Sequence, residues 1–489
     1  MKITTEQYRR VAAREMADEY TQGFLKLLPA RLAERRKTAF ADFTDPAAAR
    51  AAGAAIRAGA LENLSQLLTD FEKNAKAAGA RVFWARDAAA ANKYIVDTAR
   101  ENGITGATKG KSMITEELGL NQALAENGIR AWETDLGEFI TQLLACPPFH
   151  IVGPALNIPV ARISEIFLEK GLISEPEHDP VQLGLAARRF LREKFRHIEM
   201  GITGVNLAAA DSGTLINVEN EGNIRLSKSR PRIQVAVMSL EKVVADTPDA
   251  MHLIRLLCRS CTGQQVSAYV SMDTGPKKTD EIDGPEQLHI VILDNGRTRI
   301  YEDPVTRQAL RCIRCGACLN ACPVYGQIGG YPYGWAYSGP MGQVLSPLLL
   351  GLARTRDLFS ACTLCGKCRD VCPVGIDHPE LMRYYRHKDA AGDPDFRGTG
   401  APWTEKAVYG AYATIAGHPA LWRVFGAMAR RAVNCYARGN TIGKGPGVLK
   451  GWFARRDLPA PPSRSFRDQW KRGRPDSRAA KPASGRKKP

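Results

Sequence analysis

Cys312-Ile-Arg-Cys315-Gly-Ala-Cys318-Leu-Asn-Ala-Cys322-Pro323 and, fifty residues further on, Cys362-Thr-Leu-Cys365-Gly-Lys-Cys368-Arg-Asp-Val-Cys372-Pro373 are two copies of one pattern, C-x2-C-x2-C-x3-C-P. Together they hold eight of the chain's twelve cysteines. Two-residue gaps let a tight loop turn its sulfurs toward one point while its amides face them. Gly316 and Gly366 stand where a missing Cβ lets backbone approach closely. Pro323 and Pro373 fix φ just after the fourth cysteine and discourage a helix from continuing through it. Four thiolates gathered this way suit a compact tetrahedral inorganic core.

The same run ligates [4Fe–4S] clusters in bacterial two-cluster ferredoxins, where the fourth cysteine of each run ligates the other cluster. Two [4Fe–4S] clusters are therefore expected, with Cys312, Cys315, Cys318 and Cys372 on the first and Cys362, Cys365, Cys368 and Cys322 on the second. That exchange would lace the loops together and bring the clusters within electron-hopping range. Zinc sites show isolated C-x2-C pairs or mixed Cys/His ligands, and disulfides need an oxidising compartment. Neither accounts for two four-cysteine runs each closed by proline.

A chain of 489 residues exceeds one ferredoxin-sized module, so two or three domains are expected. No window reaches the ~18–20 uninterrupted apolar residues of a membrane span; the best stretch, 408–428, is broken by His418, Pro419 and Arg423. The amino terminus lacks the apolar region of a secretory signal, so a cytoplasmic address is expected. Of the net charge of +17, +15 lies beyond residue 400, where nineteen Lys/Arg face four Asp/Glu. Residues 472–489 are rich in Arg, Lys, Pro and Ser with little apolar content and read as a disordered basic tail. Its charge suits nucleic acid or peripheral contact with anionic lipid, but a solvated extension or docking arm for an acidic partner is the preferred reading. Nothing resembles a helix-turn-helix, so no nucleic-acid role is assigned.

Along the chain, residues 1–75 follow a helical rhythm. Short apolar strands at 81–84, 130–133, 150–152, 198–203, 214–217, 234–238, 265–270 and 289–293 then alternate with helices at 87–102, 116–126, 138–144 and 180–195. The alternation argues for an α/β domain with a largely parallel sheet over 76–298. The cluster-binding region follows over 299–390, with 326–342 as an irregular Gly/Tyr/Pro-rich cover, and a helical segment occupies 391–471.

In this order, Gly201-Ile-Thr-Gly-Val-Asn-Leu-Ala, Ser212-Gly-Thr-Leu, Glu219-Asn-Glu-Gly-Asn-Ile-Arg225, Arg259-Ser-Cys-Thr-Gly-Gln264, His289-Ile-Val-Ile-Leu-Asp-Asn-Gly-Arg297, Gly330-Tyr-Pro-Tyr-Gly-Trp-Ala-Tyr, Gly339-Pro-Met-Gly and Arg456-Asp-Leu-Pro make the chain resemble the lactate-utilisation iron–sulfur proteins (the LutB/YkgF family) over nearly its full length. The resemblance implies a NagB/RpiA/CoA-transferase-like α/β domain, then an α-helical two-cluster ferredoxin-like domain, then a family-specific tail. It implies electron transfer in the oxidation of L-lactate to pyruvate, with a cysteine-rich partner subunit and a second α/β-domain subunit. The Cys258-Arg-Ser-Cys261 pair departs from the family pattern. With Cys146 and Cys435 it reads as small buried apolar residues rather than half a metal site.

Within the α/β domain, Lys109-Gly-Lys111-Ser112 precedes a helix and could hold a carboxylate at its N-terminus, against the plainer reading of an exposed loop. Glu133 and Asp135 end a strand, a usual place for ligand groups, with helix capping by Thr134 or Asp135 as the alternative. The glycine turns at 201–204 and 212–214 either line the same crevice or merely permit packing. P-loop, Rossmann and H-E-x-x-H motifs are absent from the sequence. No acid–base pair marks a catalytic residue, so the leading expectation is a non-catalytic electron-transfer subunit. The alternative is a 2-hydroxy-acid oxidising enzyme, for glycolate as an example, whose α/β domain binds substrate directly.

Overall fold

The computed structural model describes residues 2–445, 453 and 456–473 and divides into two units, Met1–Gly400 and Ala401–Pro489. In the first, six parallel strands form one sheet in the order β1 (Arg81–Ala85), β10 (Gln287–Leu293), β7 (Ile233–Ser239), β4 (Met200–Gly204), β2 (Gly106–Lys109), β3 (Arg130–Glu133). Every pairing is parallel, so all six carboxyl ends share one edge. The central β7, Ile-Gln-Val-Ala-Val-Met-Ser, is buried at every position. Such near-continuous apolar runs mark a sheet covered on both faces. A smaller sheet follows the order β8 (Val243–Val244), β5 (Leu207–Ala209), β6 (Thr214–Glu219), β9 (Tyr269–Asp273).

One continuous apolar core runs from Phe71 and Leu253 through Ile290 to Leu345, Leu381 and Tyr385. It therefore joins the N-terminal helices, the α/β region and the cysteine-rich region. Arg57, buried on the helix Pro46–Glu62, staples the three together. It donates to the carbonyls of Val243 (3.1 Å), Leu310 (3.0 Å), Arg311 (3.2 Å) and Glu241. The five N–H donors of one guanidinium suit this joint, where carbonyls of two chain stretches, 241–243 and 310–311, converge.

Several expected elements move. Residues 150–152 form no strand: the His150 ring, buried beneath Tyr325, accepts from the Val152 amide at 3.1 Å. The loop expected at 106–112 begins as β2, and only Gly110, Lys111 and the capping Ser112 separate it from the helix Met113–Leu118. The helix expected over 116–126 is two, divided at Gly119 with φ +66°. Helices Val160–Glu169 and Thr247–Cys261 were not anticipated, although Asp246 caps the latter, accepting from the Asp249 amide at 2.8 Å, with Pro248 in its first turn.

In the second unit, helices Trp403–Gly417 and Pro419–Asn434 pack as a hairpin, with Tyr412 edge-on to Trp422 at 6.2 Å. A two-stranded ribbon pairs Thr441–Ile442 with Leu458–Pro459, and a short helix covers Phe466–Lys471. Cys435, expected among buried residues, is exposed here, its thiol donating to the Arg431 carbonyl at 3.3 Å. The basic tail expected at 472–489 lies, from 474 onward, outside the described residues. No helix among the described residues is long and apolar enough to cross a membrane.

Candidate functional site

The sequence repeat reappears as a backbone repeat. Arg314 and Leu364 take positive φ (62° and 56°), as do Gly316 (77°) and Gly366 (79°). Short helices Ala317–Ala321 and Lys367–Val371 follow each turn. Positive φ is tolerable at glycine but strained at Arg and Leu; here it turns amides toward sulfur. Arg314 N donates to Cys312 Sγ (3.3 Å), Leu364 N to Cys362 Sγ (3.4 Å), Ile376 N to Cys372 Sγ (3.4 Å) and Tyr325 N to Cys322 Sγ (3.5 Å).

The thiols gather in two groups that cross between the runs. Cys322, Cys362, Cys365 and Cys368 line one small cavity beside Pro340 and Pro379. Cys318 is close enough to Cys315, Cys312, Cys368 and Cys372 to feel their charge, and Cys315 feels Cys312 and Cys372. Burial pushes Cys322 up to about 11 and Cys368 up to about 12, with Cys315 and Cys318 driven well above the ordinary thiol value. Buried thiols of this kind release their protons to a metal rather than to water. Sulfurs grouped in fours, each turn feeding amides to them, fit iron–sulfur cores; when bound, these would accept and pass single electrons.

Behind the first loop runs a buried chain of charges. Tyr337 donates to Glu117 Oε2 (2.5 Å), and Glu117 holds Arg297 through two contacts of 2.8 and 2.9 Å. Arg297 Nε meets Glu241 at 3.0 Å, whose other oxygen holds Arg314 at 3.0 Å, inside the first cysteine run. Burial alone would raise Glu241, but Arg297 and Arg314 bring it down to about 2. Burial would likewise lower Arg314, yet Cys312, Tyr337 and Glu241 raise it above the ordinary arginine value. The chain fixes Arg314, and with it the loop, against the α/β region.

A cavity of about 260 Å³ opens where β2, β3, β4 and β7 end, the usual ligand position of an open parallel sheet. Its walls include Lys111, Ser112, Asp135, Gly204 and Lys242 from the sheet side, and Cys258, Cys261, Arg314, Cys315 and Tyr337 opposite. Three of the five anticipated anion-site residues thus come together. Ser112 caps the helix Met113–Leu118, and Asp135 caps Leu136–Leu143 by accepting from the Glu138 amide at 3.1 Å. Lys111 Nζ spans Asp135 (2.8 Å) and the Val152 carbonyl (2.9 Å). It is three-quarters buried at the side chain, not on an exposed loop.

Lys109 and Glu133 go elsewhere. Lys109, fully buried at the end of β2, pairs with Glu133 (2.9 Å) and Glu116 (3.2 Å) behind the cavity wall. Burial would lower it, but Glu133, Glu116 and Glu138 carry it above the ordinary lysine value. Burial raises Glu138 well above its usual range, and Glu133 adds to the rise. This salt cluster presents Glu116, Glu133 and Glu138 to a separate cavity, and none of its members lines the one by Cys315. Cys258 and Cys261 are buried as expected, and burial pushes Cys261 up to about 12, yet both line the cavity. Lys242, Arg314 and Tyr337 were missed; charged residues just past a strand end, in Ser239-Leu-Glu-Lys242, were the available signal.

Residues 68–293 match the LUD domain, residues 308–376 the 4Fe-4S dicluster domain, and residues 383–474 the C-terminal domain of lactate utilisation protein B. Lactate utilization protein B of Bacillus thuringiensis (strain Al Hakam) is 39% identical over 471 residues, 96% of this chain and 98% of the relative. The protein of the same name from Bacillus anthracis (strain A0248) gives the same figures. The chain belongs to the lactate utilisation protein B family. A crystal structure of a duf162 family protein from Deinococcus radiodurans, 12% identical, covers 47% of this chain and 98% of its own, at a TM-score of 0.28, too low to bear on the fold. Within the family frame, most of the cavity wall belongs to the LUD domain, and Arg314, Cys315 and Tyr337 come from the dicluster domain.

Proposed function

We propose that the chain is the iron–sulfur electron-transfer subunit of a cytoplasmic complex that oxidises L-lactate to pyruvate. Cys312, Cys315, Cys318 and Cys372 would hold one [4Fe–4S] cluster, and Cys362, Cys365, Cys368 and Cys322 the other. Oxidation of lactate releases two electrons and two protons, and two one-electron sites can receive the pair in turn. The crossing of the two thiol groups between the runs is the observation that carries this reading, together with relatives named for lactate utilisation. The α/β region is of the NagB/RpiA/CoA-transferase-like type in this reading. A cysteine-rich subunit and a second α/β-domain subunit are the partners, and the basic tail is a docking arm.

The residues of the chain have definable tasks in it. Amides of Arg314, Tyr325, Leu364 and Ile376 donate to sulfur, which stabilises negative charge there. Tyr8, Tyr325 and Tyr333 bury Cys318 and Cys322 behind aromatic rings and exclude water. Anaerobic reconstitution should give about eight irons per chain, as two cubanes require. Lactate should reduce them only when the partner subunits are present. About four irons, or reduction by lactate in the isolated chain, would overturn this function.

A further inference from the structure

Lys242 has no use in the relay just described, and its surroundings are unusual. It follows β7 in a one-turn helix, is about nine-tenths buried, and lines the cavity beneath Cys315. Among the described residues no acceptor or ion-pair partner meets its ammonium, whereas the two neighbouring cations are satisfied. Lys111 is held by Asp135 and Val152, and Arg314 by Glu241 and the Cys312 carbonyl. Its amine opens to the cavity rather than being sealed in the core, with Glu241 and Cys312 close enough to attract its charge; a cavity-facing amine without a hydrogen-bonded partner suits an anion.

The other walls restrict which anion. Asp135, Glu219 and Glu221 also face the space, so a dianion such as phosphate would meet three carboxylates, while a single negative charge matches Lys242. Met113, Ile114 and Ile224 give an apolar side for a short hydrocarbon group. Asn220 and Gln264, bonded to each other at 3.0 and 3.2 Å, offer amide groups to a neighbouring oxygen.

We propose that this cavity is a binding site for a short monocarboxylate of the 2-hydroxy or 2-oxo acid class, with its carboxylate on Lys242 and its carbon chain against the apolar wall, beside the first cysteine loop. The proposal rests on the electron-transfer reading for its choice of acid. It goes further in placing the acid on this chain rather than on a partner.

The test uses the full chain, anaerobically reconstituted, titrated by calorimetry with L-lactate, pyruvate, propionate and inorganic phosphate. One site per chain should saturate with pyruvate or lactate, and bind phosphate at least about tenfold more weakly. Lys242→Met should weaken the acid about tenfold or more, the loss of one hydrogen bond to a charged group, and Lys242→Arg should restore most of it. Iron content should stay unchanged in both. Should Lys242→Met fail to fold, the wild-type chain decides: saturating pyruvate should alter the electron paramagnetic resonance of one reduced cluster and leave the other unchanged. Full iron with no saturable acid binding overturns the site alone. So does a Lys242→Met chain that binds acid like wild type while its cluster potential moves, since Lys242 would then be only a counter-ion to the cluster. Missing iron overturns the electron-transfer reading instead.

Discussion

The two cysteine loops share backbone angles to within a few degrees at each glycine, yet they sit in opposite surroundings. The first is built into the core: Cys315 is 8% exposed, Gly316 lies against Ile151 and Val152, and Arg314 ends a fully buried chain of ion pairs. The second faces solvent. Cys365 is exposed, Gly366 has only the tip of Arg369 near it, and Arg369 reaches Asp370 and Asp377 at 3.5 and 3.6 Å from the surface. Identical local geometry was therefore fixed by the motif, and the difference by what packs around it. One loop borders the cavity at the end of the sheet, and the other is open to solvent.

The largest expected contrast comes from removing a thiol on each side. Cys315→Ser and Cys365→Ser should each lower iron from about eight to about four per chain, because each strips one cubane of a ligand. Only Cys315→Ser should also lower the thermal midpoint by several degrees, since it puts a hydroxyl into the shared apolar core. Equal midpoints in the two variants would break the comparison at its root.

Next comes the charge chain behind the first loop. Glu241→Gln leaves Arg314 buried without its carboxylate and Arg297 with Glu117 alone, a change that should cost about 3–5 kcal/mol in denaturant unfolding. The pH dependence has a definite sign. Glu241 ionises near 2 in the folded chain against an ordinary value of 4.5, so its contribution is complete above about pH 4.5 and fades as pH falls toward 2. The gap between wild type and Glu241→Gln should narrow over that acid window and stay constant above it. A gap that widens on acidification would show that Glu241 is not held as the anion.

A smaller effect separates the glycines. Both Gly316→Ala and Gly366→Ala force alanine into a left-handed turn, worth about 1 kcal/mol each. At Gly316 the new methyl would also lie 3.3 Å from Ile151 Cδ1 and 3.4 Å from Val152 Cγ2, whereas at Gly366 it meets only a mobile Arg369 tip at 3.5 Å. Gly316→Ala should be the costlier by roughly 1 kcal/mol of crowding, read as the difference between two unfolding curves.

What the sequence made legible follows the same division. The cysteine runs, the glycine turns and the positions of β1, β3, β7 and β10 were readable because spacing and apolar runs are local signals; the order of the strands in the sheet was not. β2 was hidden in Gly106-Ala-Thr-Lys109, a stretch whose lysine looks exposed until Glu116 and Glu133 surround it. Lys111 and Ser112 were picked for their place before a helix and Asp135 for its place at a strand end, and all three reach the cavity; Lys109 and Glu133 were picked on the same two grounds and turn away from it. Alternation along a strand decides which end residue points where, and strand register cannot be read without the sheet. The Glu117–Arg297–Glu241–Arg314 chain links residues 180, 56 and 73 positions apart, so no short window of sequence contains it.

The smallest change tests the exposed side directly. Asp377 sits after the second loop, where one carboxylate oxygen caps the helix His378–Ala391 by accepting from the Glu380 amide at 3.0 Å, and the other lies 3.6 Å from Arg369. Asp377→Asn keeps the cap, since asparagine serves about as well there, and removes only the ion pair. A pair whose arginine side chain is 53% exposed contributes about 0–1 kcal/mol in water and less in salt. Iron content should not change, and stability should fall by under about 1 kcal/mol, with the difference vanishing in high salt. A loss comparable to that of Glu241→Gln would mean that the second loop, too, is anchored by its charges, and solvent access could no longer explain why the two loops differ.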